Sequence, residues 1–205
     1  MFEDDLDKMI AMSEVARLRP NWGGLADYLS LRGRGLRKPA LVTLGTFVIE
    51  AATWSFDDRL ELTLWVLEDL KLENNPDPLS GRILKPTIQE WSVRDAETPK
   101  AHFWLGNLGF RPVEMHYRRA LELDPDYEDA RGSLCNCLLG DVWFNQHHLP
   151  DYYIKSPTMD LLDIAEAEAL WVGRENTPMA AFWLKEIASY RSLAEAWLHD
   201  HPPES

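Results

Sequence analysis

The hydrophobic period constrains this chain more than any other feature. Apolar residues recur three and four positions apart almost from end to end, and the strict alternation of a half-buried strand is nearly absent. The expected fold class is therefore all-α. Residues 2–19 read as a first helix, with Glu3, Asp4 and Asp5 where carboxylates favour an N-terminus, Leu6, Met9, Ile10 and Val15 on its apolar side, and Pro20 as its end. Asn21-Trp-Gly-Gly opens a short helix over about 25–31. Residues 40–53, entered through Pro39, are apolar on nearly every side and are expected as a buried central strut. Ser55-Phe-Asp-Asp resembles a capping box, with Asp58 in place of the usual glutamate, and opens a helix to about Leu72 that turns Leu60, Leu64, Trp65 and Leu67 inward. Glu73-Asn-Asn-Pro-Asp-Pro is the clearest break, after which Pro86 heads a short helix carrying Ile88, Trp91 and Val93. Two further helices close the chain. The first, residues 159–172, is expected to bury Leu161, Leu162, Ala165, Ala169 and Val172 before Gly173 stops it; the second, from Thr177-Pro-Met to about Leu198, offers Leu184, Ile187, Ala188, Leu193, Ala194 and Trp197 for packing.

The 205 residues are 45% hydrophobic and include nine tryptophans, enough apolar material for a core and too much for intrinsic disorder. One domain, residues 1–205, is expected. The break leaves room for a subdivision into 1–75 and 76–205, although the first part would need the rest of the chain to cover its helix faces. No stretch approaches the ~18 uncharged apolar residues of a membrane span. The opening Met-Phe-Glu-Asp-Asp-Leu-Asp-Lys is the opposite of a basic-then-apolar signal, so a cytoplasmic protein with no membrane partner is expected. The formal charge of -13 repels phosphate backbones, which argues against a nucleic-acid partner. Residues 1–55 hold seven acids and seven bases, so residues 56–205, with 27 acids and 14 bases, carry the whole excess. A basic partner would meet that second part.

One basic island stands out, Arg32, Arg34, Arg37 and Lys38 in Leu-Arg-Gly-Arg-Gly-Leu-Arg-Lys-Pro. It is open to two readings, a phosphate or carboxylate contact, or a solvated turn between helices. Convergence of the four cations on a pocket with Trp22 or Trp54 would favour the first. Cys135 and Cys137, one residue apart on a helix, point to different faces and suit small core positions in a reducing compartment rather than a metal or a disulfide framework. His147 and His148, with Asp141 and Asp151 nearby, and His199 and His201 lack the i, i+4 spacing of a helical metal site; no metal is expected. Gly-x-Ser-x-Gly, the phosphate-cradling Gly-x-x-x-x-Gly-Lys and the dinucleotide fingerprint are all missing, so no catalytic residue and no cofactor can be nominated.

Phe110-Arg-Pro-Val-Glu-Met-His-Tyr-Arg-Arg-Ala-Leu-Glu-Leu-Asp-Pro carries a large Tyr117, a small Ala120 and a terminal Pro125. Ala101 and Trp104, with Leu105 beside them, precede these; Leu134, Cys135 and Leu138 follow at large, small and large sites. In this spacing residues 95–139 resemble the tetratricopeptide repeat, the 34-residue helix-turn-helix unit that stacks into a superhelix. The resemblance departs at Val113, where the family has a small residue, and at Pro112, which only a first turn tolerates. After Leu139 the motif decays through Gly140-Asp-Val-Trp-Phe-Asn-Gln-His-His-Leu-Pro.

The resemblance implies a right-handed stack of antiparallel helix hairpins with divergent flanking helices, and a non-enzymatic adapter or scaffold that receives a peptide or helix in a groove lined by first helices. Carried over by position, the lining is Asp95, Thr98, His102, Leu105 and Gly106, then Asp129, Gly132, Asn136 and Leu139. The paired cations with which some members clamp a carboxylate are not at these positions, and the acidic lining favours a basic or amphipathic partner. Competing readings are an acidic inhibitor of immunity type, and a small enzyme or anion sensor using residues 32–38. A homodimer through Trp143-Phe144 and Tyr152-Tyr153 would mimic a binding surface.

Overall fold

The computed structural model describes residues 2–71 and 76–202, with backbone alone at residues 2–5. The carboxylates of Glu3, Asp4 and Asp5, residues 73–75 of the break, and Leu72, where the fourth helix was expected to end, thus lie outside the described residues. Among the described residues every regular element is a helix, and none is long and apolar enough to cross a membrane. The chain divides into two compact units, Met1–Ala96 and Glu97–Ser205. This division lies beyond the proline-rich break, because the helix that follows the break packs back onto the first unit.

The first unit contains α1 (Phe2–Arg17), α2 (Gly23–Gly33), α3 (Arg37–Ala51), α4 (Phe56–Leu64), α5 (Asp77–Leu79) and α6 (Lys85–Arg94), with wider π-helical turns at Trp65–Leu70 and Ser80–Leu84. Local signals start and stop these helices. Ser55 Oγ accepts from the Asp58 N–H at 3.2 Å and hydrogen-bonds the Asp58 carboxylate at 2.6 Å, which is the cap expected for α4. Gly33 lets α2 press against α1: a Cβ there would stand 2.4 Å from Ile10 Cγ1 and 2.8 Å from the Leu6 carbonyl oxygen. Trp22 is buried with its ring 5.2 Å from that of Trp65.

α3 is not the fully buried strut that its composition suggests. Ala40, Leu44, Phe47, Val48 and Ala51 are buried, while Val42 and Ile49 are 72% and 62% exposed. Its neighbours α2, α5 and the turn at Ser80–Leu84 cover one side, and within the unit nothing else packs on it as extensively. Val93 of α6 is likewise exposed, whereas Ile88 is buried.

The second unit is built from α7 (Pro99–Asn107), α8 (Val113–Leu123), α9 (Glu128–Gln146), α10 (Pro157–Ala169) and α11 (Pro178–Asp200). α9 is its axis and packs against α8, α10 and α11. Pro112 occupies the N-cap of α8, where its missing N–H costs nothing. Ala101, Ala120 and Cys135 are fully buried, and Tyr117 lies over Gly106, where a Cβ would come within 2.5 Å of its ring. Small residues at these points let helix axes approach while Tyr117, Leu134 and Trp171 fill the space between.

α10 presents a different face from the one its leucines suggest. Asp160, Ile164 and Ala167, with Trp171 in the turn just after the helix, are buried at i, i+4, i+7 and i+11, whereas Leu162 and, in the same turn, Val172 are 61% and 72% exposed. The phase is set by Asp160, which is drawn inward by donors from α9 and from the segment before α10. Thr177 caps α11 by accepting from the Ala180 N–H at 3.1 Å.

Candidate functional site

Successive side chains of α9 at spacings of three and four form the floor of a groove, and α11 forms one wall. Its larger part, a cavity of about 510 Å³, is lined by Phe103 and Asn107 of α7, Tyr117 of α8, Asp129, Gly132, Ser133, Asn136 and Cys137 of α9, and Met179, Phe182 and Trp183 of α11. An adjoining hollow of about 300 Å³ shares Asn136, Phe182 and Trp183 and continues past Leu139, Gly140, Trp143, Glu186 and Tyr190. Gly132 sets how near α11 can come, since a Cβ there would lie 3.0 Å from Met179 Sδ and 3.3 Å from Trp183 Nε1.

Two apolar rings stand open on this lining, Trp143 at 57% and Phe182 at 56% exposure. The acid and base side chains there are Asp129 and Glu186, both carboxylates. Residues 97–205 carry 18 acids against 9 bases, hence -9 of the chain's -13, and the groove shares that sign. Burial pushes the Tyr117 hydroxyl above its ordinary range, with Cys137 adding to the rise and a Ser133 hydrogen bond opposing it.

Of the lining residues expected from sequence, Asp129, Gly132, Asn136 and Leu139 meet in this groove, Leu139 as a buried base. The α7 residues do not join them. Leu105 is buried at 4% exposure, and His102 stacks 25° from the plane of His116 with ring centroids 6.3 Å apart. Thr98 is the N-cap of α7, and Asp95 belongs to the first unit as the C-cap of α6. Phe103 and Asn107 occupy the groove instead, one helical turn apart. The α11 stripe Met179, Phe182, Trp183, Glu186 and Tyr190 lies outside the lining expected from sequence, although its i, i+3, i+4, i+7, i+11 spacing is the signal that marks one helix face.

Arg34, Arg37 and Lys38 are exposed, and Arg32 approaches the Tyr28 hydroxyl. Trp22 is taken up by its contact with Trp65, and Trp54 stands edge-on to Phe47 at 5.6 Å. His147 lies between Trp143 and His148 in a ladder of rings that continues to Tyr152, with Nδ1 against the Phe144 carbonyl.

Beside the groove, the C-terminal end of α9 is held by a buried polar cluster. Asn145 Nδ2 donates to Asp160 Oδ1 at 2.7 Å, the Tyr153 hydroxyl donates to Asp160 Oδ2 at 2.5 Å, and Gln146 Nε2 donates to the Tyr153 oxygen and the Tyr190 carbonyl, both at 3.0 Å. Asp160 is 2% exposed. Burial raises its carboxyl above the ordinary range; the Tyr153 and Asn145 hydrogen bonds and Lys155 act against that rise, while Asp141 adds to it. The cluster fixes the 147–156 connection against three helices.

Neither cysteine is poised for chemistry. Burial pushes the Cys135 thiol up to about 11 from 9.0, and burial followed by the nearby Glu114 raises Cys137. At pH 8 Cys135 therefore holds about a hundredfold less thiolate than an open thiol, and a disulfide reagent should label it only as the protein unfolds. Fast labelling of both thiols in the native protein would contradict that environment.

Comparison with protein-family models, curated proteins and solved structures finds no match to the chain.

Proposed function

We propose that the chain is a tetratricopeptide-like interaction protein whose second unit receives an amphipathic, basic segment of a partner protein along α9 and α11. The lining is the observation that carries this reading: the two adjoining hollows bring together two open aromatic rings, Trp143 and Phe182, the amides of Asn107 and Asn136, and two carboxylates, Asp129 and Glu186. Aromatic anchors in such a hollow supply affinity, while peripheral carboxylates select the sign of the ligand and steer its approach. The spacing along α9 and α11 matches the i, i+4 anchors of a helix laid lengthwise. Apart from Tyr117 of α8, the groove lining comes from the alternate helices α7, α9 and α11, as the family's first-helix surface does, and this supports the repeat reading of residues 95–139.

A test uses two synthetic helices of one leucine pattern, one with lysine and one with glutamate on the polar face, labelled for fluorescence anisotropy. The lysine peptide is expected to bind and to weaken as salt rises. Phe182→Ala combined with Trp143→Ala should cost about 2 kcal/mol, roughly thirtyfold in Kd, without loss of helix by circular dichroism. Equal binding of the glutamate peptide, or an unchanged Kd in the double variant, would reject the groove as the partner site.

A further inference from the structure

A second cavity, of about 320 Å³, shares no lining residue with the groove and lies where the turn between α10 and α11 meets the start of α9. Its defining feature is Arg131. This side chain is 6% exposed, yet no carboxylate lies within ion-pair distance of it among the described residues; its guanidinium donates to the Leu170 carbonyl at 2.7 Å and to the Pro125 carbonyl. Buried cations are ordinarily paired, because carbonyl dipoles compensate lost hydration without neutralising the charge. A second guanidinium, Arg174, donates to the same Pro125 oxygen at 3.0 Å, so two like charges converge on one acceptor. Asp126 pairs with Arg174 at 2.7 Å and is 81% exposed, where solvent screens it, and Asp126, Glu128 and Asp124 act on the Arg131 charge from beyond ion-pair distance.

We propose that this cavity binds a small organic monocarboxylate between Arg131 and Arg174. Arg131 has five N–H donors, of which the two carbonyl contacts use two, and a planar guanidinium matches the two oxygens of a carboxylate. Asn176 and Thr177 add polar groups to the lining, although the Thr177 hydroxyl already accepts from Ala180. Asp126 and Glu128 on the same lining select against a dianion such as phosphate and favour a single negative charge.

The experiment titrates the full chain with N-acetylglycinate and follows the backbone amides of residues 170–177 by nuclear magnetic resonance. Inorganic phosphate and the neutral N-acetylglycine methylamide serve as comparison probes. Saturable shifts with the carboxylate below about 10 mM are expected, with neither comparison probe matching them. Arg174→Gln should weaken binding at least about tenfold while lowering the unfolding midpoint only modestly, since the folded state gives up one hydrogen bond to the Pro125 carbonyl and one ion pair to the solvent-screened Asp126. Arg131→Lys, which keeps the charge and loses the fork, should weaken it too; should that variant fail to fold, Arg174→Gln decides alone. No saturation with the carboxylate, equal shifts from phosphate or the methylamide, or binding indifferent to Arg174→Gln overturns the proposal.

Discussion

Asp160→Ala is expected to destabilise the protein by about 4 kcal/mol, measured by urea denaturation. The substitution removes the acceptor of two buried donors, Asn145 Nδ2 and the Tyr153 hydroxyl, and each orphaned donor costs about 1–3 kcal/mol. It also frees the helical phase of α10, whose buried face of Ile164, Ala167 and Trp171 is held in register by that carboxylate. Asp160→Asn keeps an acceptor for Asn145 and should cost less than half as much. The sign of the pH dependence follows from the raised carboxyl. A group whose folded pKa exceeds its unfolded value contributes stability that is complete below the unfolded value and is lost as pH rises through the folded one. The wild-type chain should therefore gain on Asp160→Asn as pH falls toward the ordinary carboxylate range, and lose that advantage above it. A difference between the two proteins that stays flat with pH would show that Asp160 titrates like a solvated aspartate.

Gly33→Val should be nearly as damaging, at about 3 kcal/mol, and its effect should be concentrated in α1. Ile10 can rotate away from a new Cβ, but the Leu6 carbonyl at 2.8 Å and the Ile10 nitrogen at 3.2 Å are backbone, so α1 itself must move off α2. Hydrogen exchange is the decisive measurement, with the amides of residues 6–17 expected to lose protection while those of α9 keep it. Gly45→Ala is the matched control. Nothing lies within 4 Å of a Cβ there, and the position sits mid-helix in α3, so stability should rise by about 0.5–1 kcal/mol. Unaltered exchange in α1 after Gly33→Val would mean that the close crossing does not hold that helix.

The groove was half legible before the fold was known. Asp129, Asn136 and Leu139 follow from a single helical period along α9, because residues three and four apart must share a face. His102 and Leu105 lie outside the groove for a reason that counting along α7 alone does not show: Leu105 is buried, and His102 stacks on His116. Trp143 is legible in the sequence as an apolar surplus open to self-association or partner binding; its neighbours from α11, more than thirty residues later in the chain, give it a place in the lining. In the sequence Arg131 is one arginine in an acidic stretch, and its burial is visible only once the Pro125 and Leu170 carbonyls are brought to it.

What the sequence determined by itself is whatever depends on near neighbours. The all-α class and most helix boundaries could be read at Pro20, Ser55, Pro125 and Thr177, because caps and prolines act within one turn. Ala101, Ala120 and Cys135, small residues at helical spacing, are fully buried. Tertiary structure alone decided which of several apolar faces each helix buries. Leu162 and Val172 are as hydrophobic as Ile164, yet they stay in solvent because Asp160 finds its donors on α9 and the 147–156 connection. Hydrophobic burial has no direction, whereas a buried carboxylate is tolerated only where its donors converge, so the polar contact chose among faces that apolar area left nearly equivalent.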